Sequence, residues 1–428
     1  MDVPRVAVIN SHPIQHFAPL WRDVARTGRV RLRIFYVSHR GLQAYADPHF
    51  ARSLQWDVDL LSGYESEVLE PQTASEPLTF ASADSAQLAG RLDAFRPDVV
   101  LLHGYAFRIN WRALWWARRR GVRVMTISDS ELRHQRPMTR RIAKEVVVRA
   151  FFSQLDGAFT GGDANAGYYQ RYGLPERALH YCPLPVDRER FLAAVPSLDE
   201  ARLQVRKALG LSMDTFVFAG LGKFVPWKRF QDVIAALGTL PTARRSRCAV
   251  LLVGDGPLRA ELEAQARACG GQVVFGGFVN QSALPPYYAA ADAVVASSEV
   301  DAKGLTPSEG HIFGRPTLVS DRVGCVGPND VIRDGVNGIV YPCGDVSALA
   351  SAMARLSSDP ELYARLSAEA SHTATLQSSA AAANDFCDGI EAVHQAPRAS
   401  IAERVSRLFR VSAPSLGQRP LWVKARNA

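Results

Sequence analysis

Two carboxylates and two lysines in the second half of the chain are the residues whose types and spacing are most suited to chemistry. Asp301 and Glu309 stand eight residues apart around a Gly-Leu step, and Lys223 and Lys228 lie either side of a tryptophan upstream. Lysines hold phosphate as point charges, and a helix that opens off a glycine presents free N–H groups to an anion. The pattern favours a site for a phosphorylated ligand, although such residues are also ordinary surface charges.

The residues before Glu309 predict the start of a short helix. Thr306 is expected as the N-cap and Pro307 as the first helical residue, with Glu309 three residues after the cap. The apolar run 293–296 precedes this stretch and predicts a buried strand. Glu309 is therefore open to two roles, since it can close a capping box or bind a ligand.

Length and composition limit the class of protein. A chain of 428 residues predicts two domains, and 47% hydrophobic with 21% charged residues is typical of a globular protein. The net charge of +8 suits an anionic ligand or an anionic membrane surface. Because no RNA-binding motif or zinc-ligand spacing accompanies it, we expect no nucleic-acid partner and no zinc site.

Cysteine usage and hydropathy predict the compartment. The six cysteines are scattered without a CxxC pair, which is typical of a reducing environment. The first apolar run is too short for a signal peptide, and none reaches the roughly 18 residues of a membrane span. We expect a cytoplasmic protein, at most peripheral on the inner face of the membrane. The final residues 398–428 contain seven Lys or Arg and one acid, which fits a membrane-surface helix or a disordered basic tail.

Predicted strands and helices alternate through both halves of the chain. This pattern predicts an α/β fold with two doubly wound Rossmann-like domains facing a cleft. The expected divisions are residues 1–192, 193–375, a helix at 376–397 that packs back on the first domain, and the tail at 398–428. No GxGxxG follows the first strand, which counts against a dinucleotide-binding oxidoreductase.

A helix predicted over residues 111–120 carries an aromatic face. Trp111, Leu114 and Trp115 lie on one side at helical spacing. We expect this side in the core rather than against a cofactor.

The second half of the chain resembles the family 4 glycosyltransferases of the GT-B fold. Residues 216–228 are similar to that family's first strand and loop, and 252–259 to its Val-Gly-x-Gly-Pro turn. Asp301 and Glu309 then occupy its E-x7-E motif. Other segments that match in order are 277–279, 291–294, 335–338 and 344–345, with 97–103 and 186–191 in the first half.

The resemblance implies a retaining glycosyltransferase that needs no metal or cofactor besides its donor. The donor would be a UDP- or GDP-sugar held by residues 193–375, and residues 1–192 would face a glycan or lipid-linked acceptor in cell-surface polysaccharide synthesis. Carried over by motif, the catalytic residues are His103, Lys223, Lys228 and Asp301. The donor-binding residues are Gly222, Gly304, Leu305, Thr306 and Glu309, and the candidates for lining the cleft are His12, His16, Gly254 and Val279.

The chain departs from the family pattern at three places. Asp301 is one methylene shorter than the family's first Glu, Lys223 replaces an Arg, and Ser11-His12-Pro13 replaces a glycine pair after the first strand. Two other functions therefore stay open. One is a GT-B-fold sugar-nucleotide epimerase, which needs acid–base carboxylates but no acceptor. The other is a non-catalytic protein that binds a sugar nucleotide or a glycan.

Overall fold

The computed structural model of the chain describes residues 3–47, 49–50, 52–70, 78–132 and 138–410. It divides into two compact units. The first unit contains Met1–Tyr45, Asp59–Pro185 and Ser379–Ala428, and the second contains Ala46–Val58 and Val186–Ser378. The chain therefore leaves the first unit twice and returns to it each time.

The limits of the units differ from the predicted ones. The sequence places divisions after residues 192 and 375, whereas the units divide after residues 185 and 378. Residues 186–192 join the second unit because Val186 and Phe191 pack in its core. The sequence also does not predict that 46–58 belongs to the second unit, since no pattern sets these residues apart from their neighbours.

Strands and helices alternate through the first 185 residues. The strands are β1 (Arg5–Asn10), β2 (Arg31–Tyr36), β3 (Tyr45–Asp47), β4 (Arg52–Leu54), β5 (Glu65–Val68), β6 (Val99–His103), β7 (Arg123–Ile127), β8 (Gly157–Thr160) and β9 (Leu179–Tyr181). The helices are α1 (Phe17–Thr27), α2 (Leu88–Phe95), α3 (Arg108–Arg120), α4 (Met138–Ser153) and α5 (Asp163–Arg171). β3 and β4 pair as a separate two-stranded sheet.

A seven-stranded parallel sheet forms the centre of the first unit, in the order β5-β2-β1-β6-β7-β8-β9. Val6 and Val8 of β1 belong to the core on one face, and Ala7 and Ile9 to the core on the other. Strands buried on both faces have continuous apolar sequences, which is why these strands are visible in the sequence. The strand order reverses between β1 and β6, so the switch point of this sheet lies there.

The second unit repeats this architecture. Its strands are β10 (Phe216–Leu221), β11 (Cys248–Val253), β12 (Gln272–Gly277), β13 (Ala293–Ala296), β14 (Thr317–Ser320) and β15 (Gly338–Tyr341). Its helices are α6 (Arg188–Ala193), α7 (Leu198–Ala208), α8 (Phe230–Thr239), α9 (Thr242–Arg245), α10 (Arg259–Ala268), α11 (Pro285–Ala290), α12 (Leu305–His311), α13 (Val346–Ser358) and α14 (Pro360–Leu376). The parallel sheet has the order β12-β11-β10-β13-β14-β15, so its switch point lies between β10 and β13.

A buried ion pair fixes the two strands at this second switch point. Asp292 precedes β13, and its Oδ2 accepts a hydrogen bond from the N–H of Val217 in β10 at 2.7 Å. The same oxygen accepts from the buried Arg206 guanidinium at 2.7 Å. Because Asp292 contacts residues at the start of β10 and β13, it fixes the register of the two strands at their amino ends, at the edge of the sheet opposite to the loops that follow them.

The last described residues form two helices in the first unit. In α15 (Ser379–Gln395), Phe386 stacks on Phe159 with ring centroids 4.8 Å apart. In α16 (Ile401–Phe409), Arg407 is buried and donates to the carbonyl of Leu155 at 2.6 Å. Part of the expected basic tail is thus a helix held by the first unit, and residues 411–428 lie outside the described residues.

The predicted fold class is confirmed, because both units are doubly wound parallel α/β structures. The predicted core face of α3 is partly wrong. Leu114 is fully buried and Trp111 packs against the core, but Trp115 is 49% exposed. Among the helices of the described residues, none is both long and apolar enough to cross a membrane.

Candidate functional site

The loops that follow β10 and β13 bring most of the predicted site residues together in the second unit. Gly222, Lys223 and Lys228 follow β10, whereas Asp301 and Glu309 follow its parallel neighbour β13. Ligands of open α/β sheets bind at the carboxyl ends of the strands beside the switch point. The geometry therefore places these charged residues where such a sheet binds a ligand.

Two glycines let the loops after β10 and β11 approach each other closely. Gly222 has φ 141° and Gly254 has φ 148°, both in the region that favours glycine. A Cβ atom at Gly254 would lie 1.8 Å from the carbonyl oxygen of Gly222. Gly254 is therefore required for the packing of the two loops, and this contact sets the position from which the Lys223 side chain starts.

Lys228 and Asp301 form an ion pair across the switch point. Lys228 Nζ donates to Asp301 Oδ2 at 2.6 Å, and each side chain is 21% exposed. The backbone holds the same arrangement, since Ser297 donates its hydroxyl to the carbonyl of Lys228 at 2.7 Å. The predicted cation and the predicted first acid of the motif thus lie within reach of one ligand.

Lys223 is paired with a carboxylate that the sequence analysis did not identify. Its Nζ donates to Asp47 Oδ2 at 2.9 Å and lies 4.8 Å from the centre of the Phe50 ring. Burial acts to raise the pKa of Asp47, but the hydrogen bond and charge of Lys223, together with the N–H groups of His49 and Phe50, outweigh it and hold that pKa below its usual value. Asp47 lies in the Ala46–Val58 segment, which therefore supplies a carboxylate at the lysine.

Further contacts fix that segment on the second unit. The ring of His49 lies edge-on to Trp227 at 5.2 Å, and Asn280 donates to the carbonyl of Gln55 at 2.7 Å. The N–H of Ser282 donates to a carboxylate oxygen of Asp57 at 3.0 Å. The segment is consequently attached at several points, and the Lys223–Asp47 pair is one of them.

The predicted N-cap at Thr306 is wrong, and of the two roles left open for Glu309 the capping box does not form. Helix α12 begins at Leu305, its N-cap is Gly304 with φ 64°, and no side chain caps it. The reason is that Asp301 accepts from the N–H of Gly304 at 2.8 Å, so the chain turns into the helix before Thr306. Thr306 instead directs its hydroxyl to the carbonyl of Leu221 at 3.5 Å.

This start leaves a specific set of backbone donors at α12. The first N–H groups of a helix have no acceptor inside the helix. The N–H of Gly304 is already taken by Asp301, which removes it from the expected set of free donors. The N–H groups of Leu305 and Thr306 stand at the first positions of α12, which follows β13 beside the switch point.

Glu309 faces a tyrosine rather than the start of its own helix. Tyr288 donates its hydroxyl to Glu309 Oε2. Burial raises the pKa of Glu309 above its usual value, although the Tyr288 hydrogen bond and the charge of Arg190 act in the opposite direction. Glu309 therefore does not cap its own helix, and its Oε2 is held by Tyr288. Tyr288 was not predicted, because no motif in the sequence sets it apart from its neighbours.

Three histidines lie at the switch point of the first unit. His12 and His16 follow β1, and His103 ends β6. Burial lowers the pKa of His103 to about 3 and those of His12 and His16 to about 4. The charge of Arg40 lowers the pKa of His12 further. Repulsion from His12 lowers the pKa of His103 further. All three rings are therefore neutral near pH 7.

The His103 ring is oriented by its surroundings but not fully bonded. It lies edge-on to Phe17 with centroids 4.5 Å apart. Its buried Nε2 has no hydrogen-bond partner among the described residues. A neutral ring with an unused nitrogen suits a hydroxyl group better than an anion.

Two further predictions concern Val279 and the absence of a metal ion. Val279 packs at the edge of a core cluster in the second unit and contributes no polar group. In the part of the chain that the structure describes, no three His, Cys, Asp or Glu side chains gather as a metal ion would require. Lys223 and Lys228 are the two predicted cations that the described residues bring to this site.

The chain is similar to known proteins in sequence and in structure. Residues 202–373 match the family model described as glycosyl transferases group 1. The GDP-mannose-dependent alpha-(1-6)-phosphatidylinositol monomannoside mannosyltransferase of Mycolicibacterium smegmatis is 30% identical over 276 residues, which cover 60% of this chain and 67% of that protein. The lipopolysaccharide core biosynthesis glycosyltransferase LpsD of Rhizobium meliloti is 35% identical over 170 residues, covering 39% and 47%. The chain spans about half the length of the curated relatives that it matches first.

A solved structure shares the fold. The crystal structure of HepE from Anabaena in complex with UDP has a TM-score of 0.66 at 17% identity, covering 91% of this chain and 99% of that one. At this identity the likeness concerns the fold alone. Together with the two parallel sheets, it confirms the predicted GT-B fold.

Proposed function

Because the chain belongs to the group 1 glycosyltransferase family, we propose that it transfers a sugar from a nucleotide-diphospho-sugar to a glycan or lipid-linked acceptor. The observation that carries this proposal is the pairing of Lys223, Lys228 and the first N–H groups of α12 at one switch point. That combination suits a diphosphate. The proposal includes retention of anomeric configuration, which rests on the family resemblance.

The leaving group determines what the second unit must do. As the bond to the sugar breaks, negative charge grows on the diphosphate and has to be stabilised by fixed cations and dipoles. Lys228 and Lys223 supply the cations, and the N–H groups of Leu305 and Thr306 supply the dipoles. We assign no metal to this step, and the rate should be unchanged by EDTA.

Both lysines exchange partners when the donor binds. Each now pairs with a carboxylate, Lys223 with Asp47 and Lys228 with Asp301. A diphosphate carries more charge than a single carboxylate and competes for the same Nζ atoms. Asp301, once released, is close enough to the switch point to accept from hydroxyls of the transferred sugar.

Glu309 and His103 complete the assignment. Glu309 accepts from the ribose hydroxyls, and its hydrogen bond from Tyr288 fixes the orientation of the carboxylate. His103, as a neutral ring, bonds a hydroxyl of the donor sugar. No residue is assigned as a nucleophile. Transfer is proposed on the front face of the sugar, with the leaving phosphate oxygen accepting the acceptor's proton.

The donor and the setting are proposed at the level that the comparisons support. A relative named GDP-mannose-dependent and a UDP-bound structure of the same fold support a GDP- or UDP-sugar. A lipopolysaccharide core relative supports a role in cell-surface polysaccharide synthesis. We place the protein in the cytoplasm, peripheral to the inner face of the membrane through its basic surface.

A panel of UDP- and GDP-sugars tests the proposal against its alternatives. Purified protein is incubated with each donor, with and without a cell extract as acceptor, and nucleotide release and sugar products are measured. Slow donor hydrolysis or transfer supports a glycosyltransferase. Recovery of an isomerised donor would indicate the epimerase instead, and tight donor binding without any turnover would indicate the binding protein.

A further inference from the structure

The first unit has a groove that is lined by tryptophan and arginine side chains. None of its lining residues has a role in the proposed function. It lies between α2 and α3, has a volume of about 600 Å³ and is lined by residues that include Trp111, Trp115, Trp116, Arg108, Arg112 and Arg119. Pockets for small ligands typically measure roughly 300–1,000 Å³. The groove is therefore large enough for a ligand of a few sugar rings, and its lining is unusual for a surface depression.

Two of the three tryptophans are held by hydrogen bonds from their indole N–H groups to other described residues, and the third is not. Trp111 donates its indole N–H to the carbonyl of Tyr105 at 3.0 Å, and Trp116 donates to Asp93 at 3.1 Å. Trp115 is 49% exposed, and its indole N–H has no partner among the described residues. An indole of this kind offers a flat apolar face beside a free donor.

Three of the four arginines form ion pairs with described residues, and the fourth does not. Asp84 accepts from Arg108 at 3.2 Å and from Arg112 at 2.5 Å, so one carboxylate serves two guanidinium groups. Arg120 pairs with Asp93 at 2.7 Å. Arg119 is exposed and has no ion-pair partner in the described part of the chain. Four arginines thus face two aspartates, which leaves positive charge in the groove.

Helical spacing aligns four of the groove's side chains, two of them paired with Asp84 and two of them unpaired within the described residues. Arg108, Arg112, Trp115 and Arg119 are separated by four, three and four residues, so they share one face of α3. Trp115 therefore lies between Arg112 and Arg119 along the groove. An arginine already binds a carboxylate on this face at Asp84, which shows the chemistry that the unpaired Arg119 is suited to.

We propose that this groove binds an acidic oligosaccharide, with a sugar ring stacked on Trp115 and a ring carboxylate held by Arg119. The C–H face of a sugar packs on an indole, and a guanidinium donates two parallel hydrogen bonds to a carboxylate. The inference rests on the proposed function in one respect, since it makes the bound chain part of the glycan that the enzyme extends.

The groove fits a saccharide chain better than a bilayer. It is concave, and among its described lining residues only Trp115 is a large apolar side chain that is strongly exposed. A membrane-binding face instead presents a protruding apolar stripe to the acyl boundary. The flanking arginines here are tied to Asp84 and Asp93 along the walls, as in a site that recognises defined groups.

Calorimetry on the full chain without donor tests the inference. The probes are trigalacturonic acid and the neutral maltotriose. Wild-type protein should bind the acidic probe, and Trp115→Ala should weaken binding of the acidic probe about tenfold. Arg119→Ala should weaken it by about five- to tenfold, reduce its salt dependence and leave the binding of the neutral probe unchanged. Arg267→Ala, which removes an exposed arginine of α10, is the matched control and should bind as wild type.

Three outcomes would overturn the inference. These are no heat with trigalacturonic acid at millimolar concentration, equal binding by wild type and both groove variants, and binding to phosphatidylglycerol vesicles that Trp115→Ala abolishes when the sugar does not bind. Melting curves establish that both variants fold. Donor hydrolysis by the same preparations is scored separately, so a failed groove and a failed glycosyltransferase assignment give different results.

Discussion

The switch points of the two sheets have the same architecture but differ in the side chains beside them, which are charged in the second unit and include three neutral histidines in the first. In each unit the strand order reverses beside the unit's first strand, between β1 and β6 or between β10 and β13. The second unit surrounds that point with Lys223, Lys228, Asp301 and Glu309, all charged groups or groups able to be charged. The first unit surrounds it with histidines that burial keeps neutral.

Under the proposed function, this difference separates two kinds of ligand group. The diphosphate would meet the lysines of the second unit, which are now paired with carboxylates. The sugar hydroxyl would meet the neutral ring of His103, whose Nε2 has no partner among the described residues. Four substitutions test this division of roles, and their expected effects decrease in the order given.

Removing the cation at Lys228 should have the largest effect. Lys228→Met should lower kcat/KM for the donor about 100- to 1,000-fold, which corresponds to about 2.7–4 kcal/mol of transition-state stabilisation. The reason is twofold, because the diphosphate loses a cation and Asp301 is left as an unpaired anion beside it. Steady-state kinetics of nucleotide release measure the effect.

Two companion variants separate these causes. Lys207→Met removes an exposed lysine from α7 and should leave the kinetics unchanged. Lys228→Met combined with Asp301→Asn removes both charges, and it should recover part of the loss in donor affinity. Activity of Lys228→Met close to that of wild type would remove this lysine from the site.

Glu309→Gln should raise the donor KM by about 10- to 100-fold, since hydrogen bonds to a charged group contribute about 1.5–3 kcal/mol. The change keeps the size of the side chain but removes the carboxylate that is proposed to accept from ribose. Tyr288→Phe is the control for orientation and should have a smaller effect on the same KM. A nucleoside diphosphate that binds Glu309→Gln as tightly as wild type would argue for a purely structural Glu309.

The fold was predictable because its information is local. Both sheets are buried on two faces, so strands such as β1 and β13 appear as apolar runs separated by helical periodicity. The unit limits were less predictable, since they depend on where Val186 and Phe191 pack. The assignment of residues 46–58 depends on tertiary contacts such as the Asp57–Ser282 hydrogen bond, which no local pattern encodes.

The site was predictable in its members but not in their pairings. The spacing of Asp301 and Glu309 identified both acids, yet it suggested a capping box that Gly304 and the Asp301 turn prevent. Asp47 stands 176 residues before Lys223, and Tyr288 stands 21 before Glu309. Pairs at such separations come from the topology of the sheet, which a single sequence does not display.

His103→Gln should lower kcat by about two- to tenfold, the effect of losing one neutral hydrogen bond, while donor KM stays near wild type. Since burial lowers the pKa of His103 to about 3, the wild-type pH profile should show no loss of activity from its ionisation between pH 6 and 8. A profile that follows a histidine titrating near its ordinary pKa, and that disappears in the variant, would assign His103 a charged role.

The same shift predicts how stability depends on pH. A histidine whose pKa is lowered on folding takes up its proton more readily when unfolded, so protein stability falls as the pH drops from about 6.5 towards 3. His103→Gln should lose part of this slope in melting temperatures measured across that range. An unchanged slope would mean that other groups dominate the acid sensitivity.

Asp47→Asn should produce the smallest effect and the opposite sign. Lys223 would lose its present partner, and because this end of the ion pair is partly exposed, at the contribution of about 0.2–1 kcal/mol that surface pairs make donor affinity should rise about 1.5- to fivefold. Asp57→Asn is the matched control, since it removes a carboxylate from the same segment without touching Lys223. Calorimetry with the donor compares the two variants.

A gain in donor affinity only in Asp47→Asn means that the carboxylate competes with the diphosphate, whereas a gain in both variants means that docking of the segment limits donor entry. Weaker binding in Asp47→Asn would instead show that Asp47 positions Lys223 for the donor, and the second unit would then use its carboxylates as fixed supports rather than as displaceable partners.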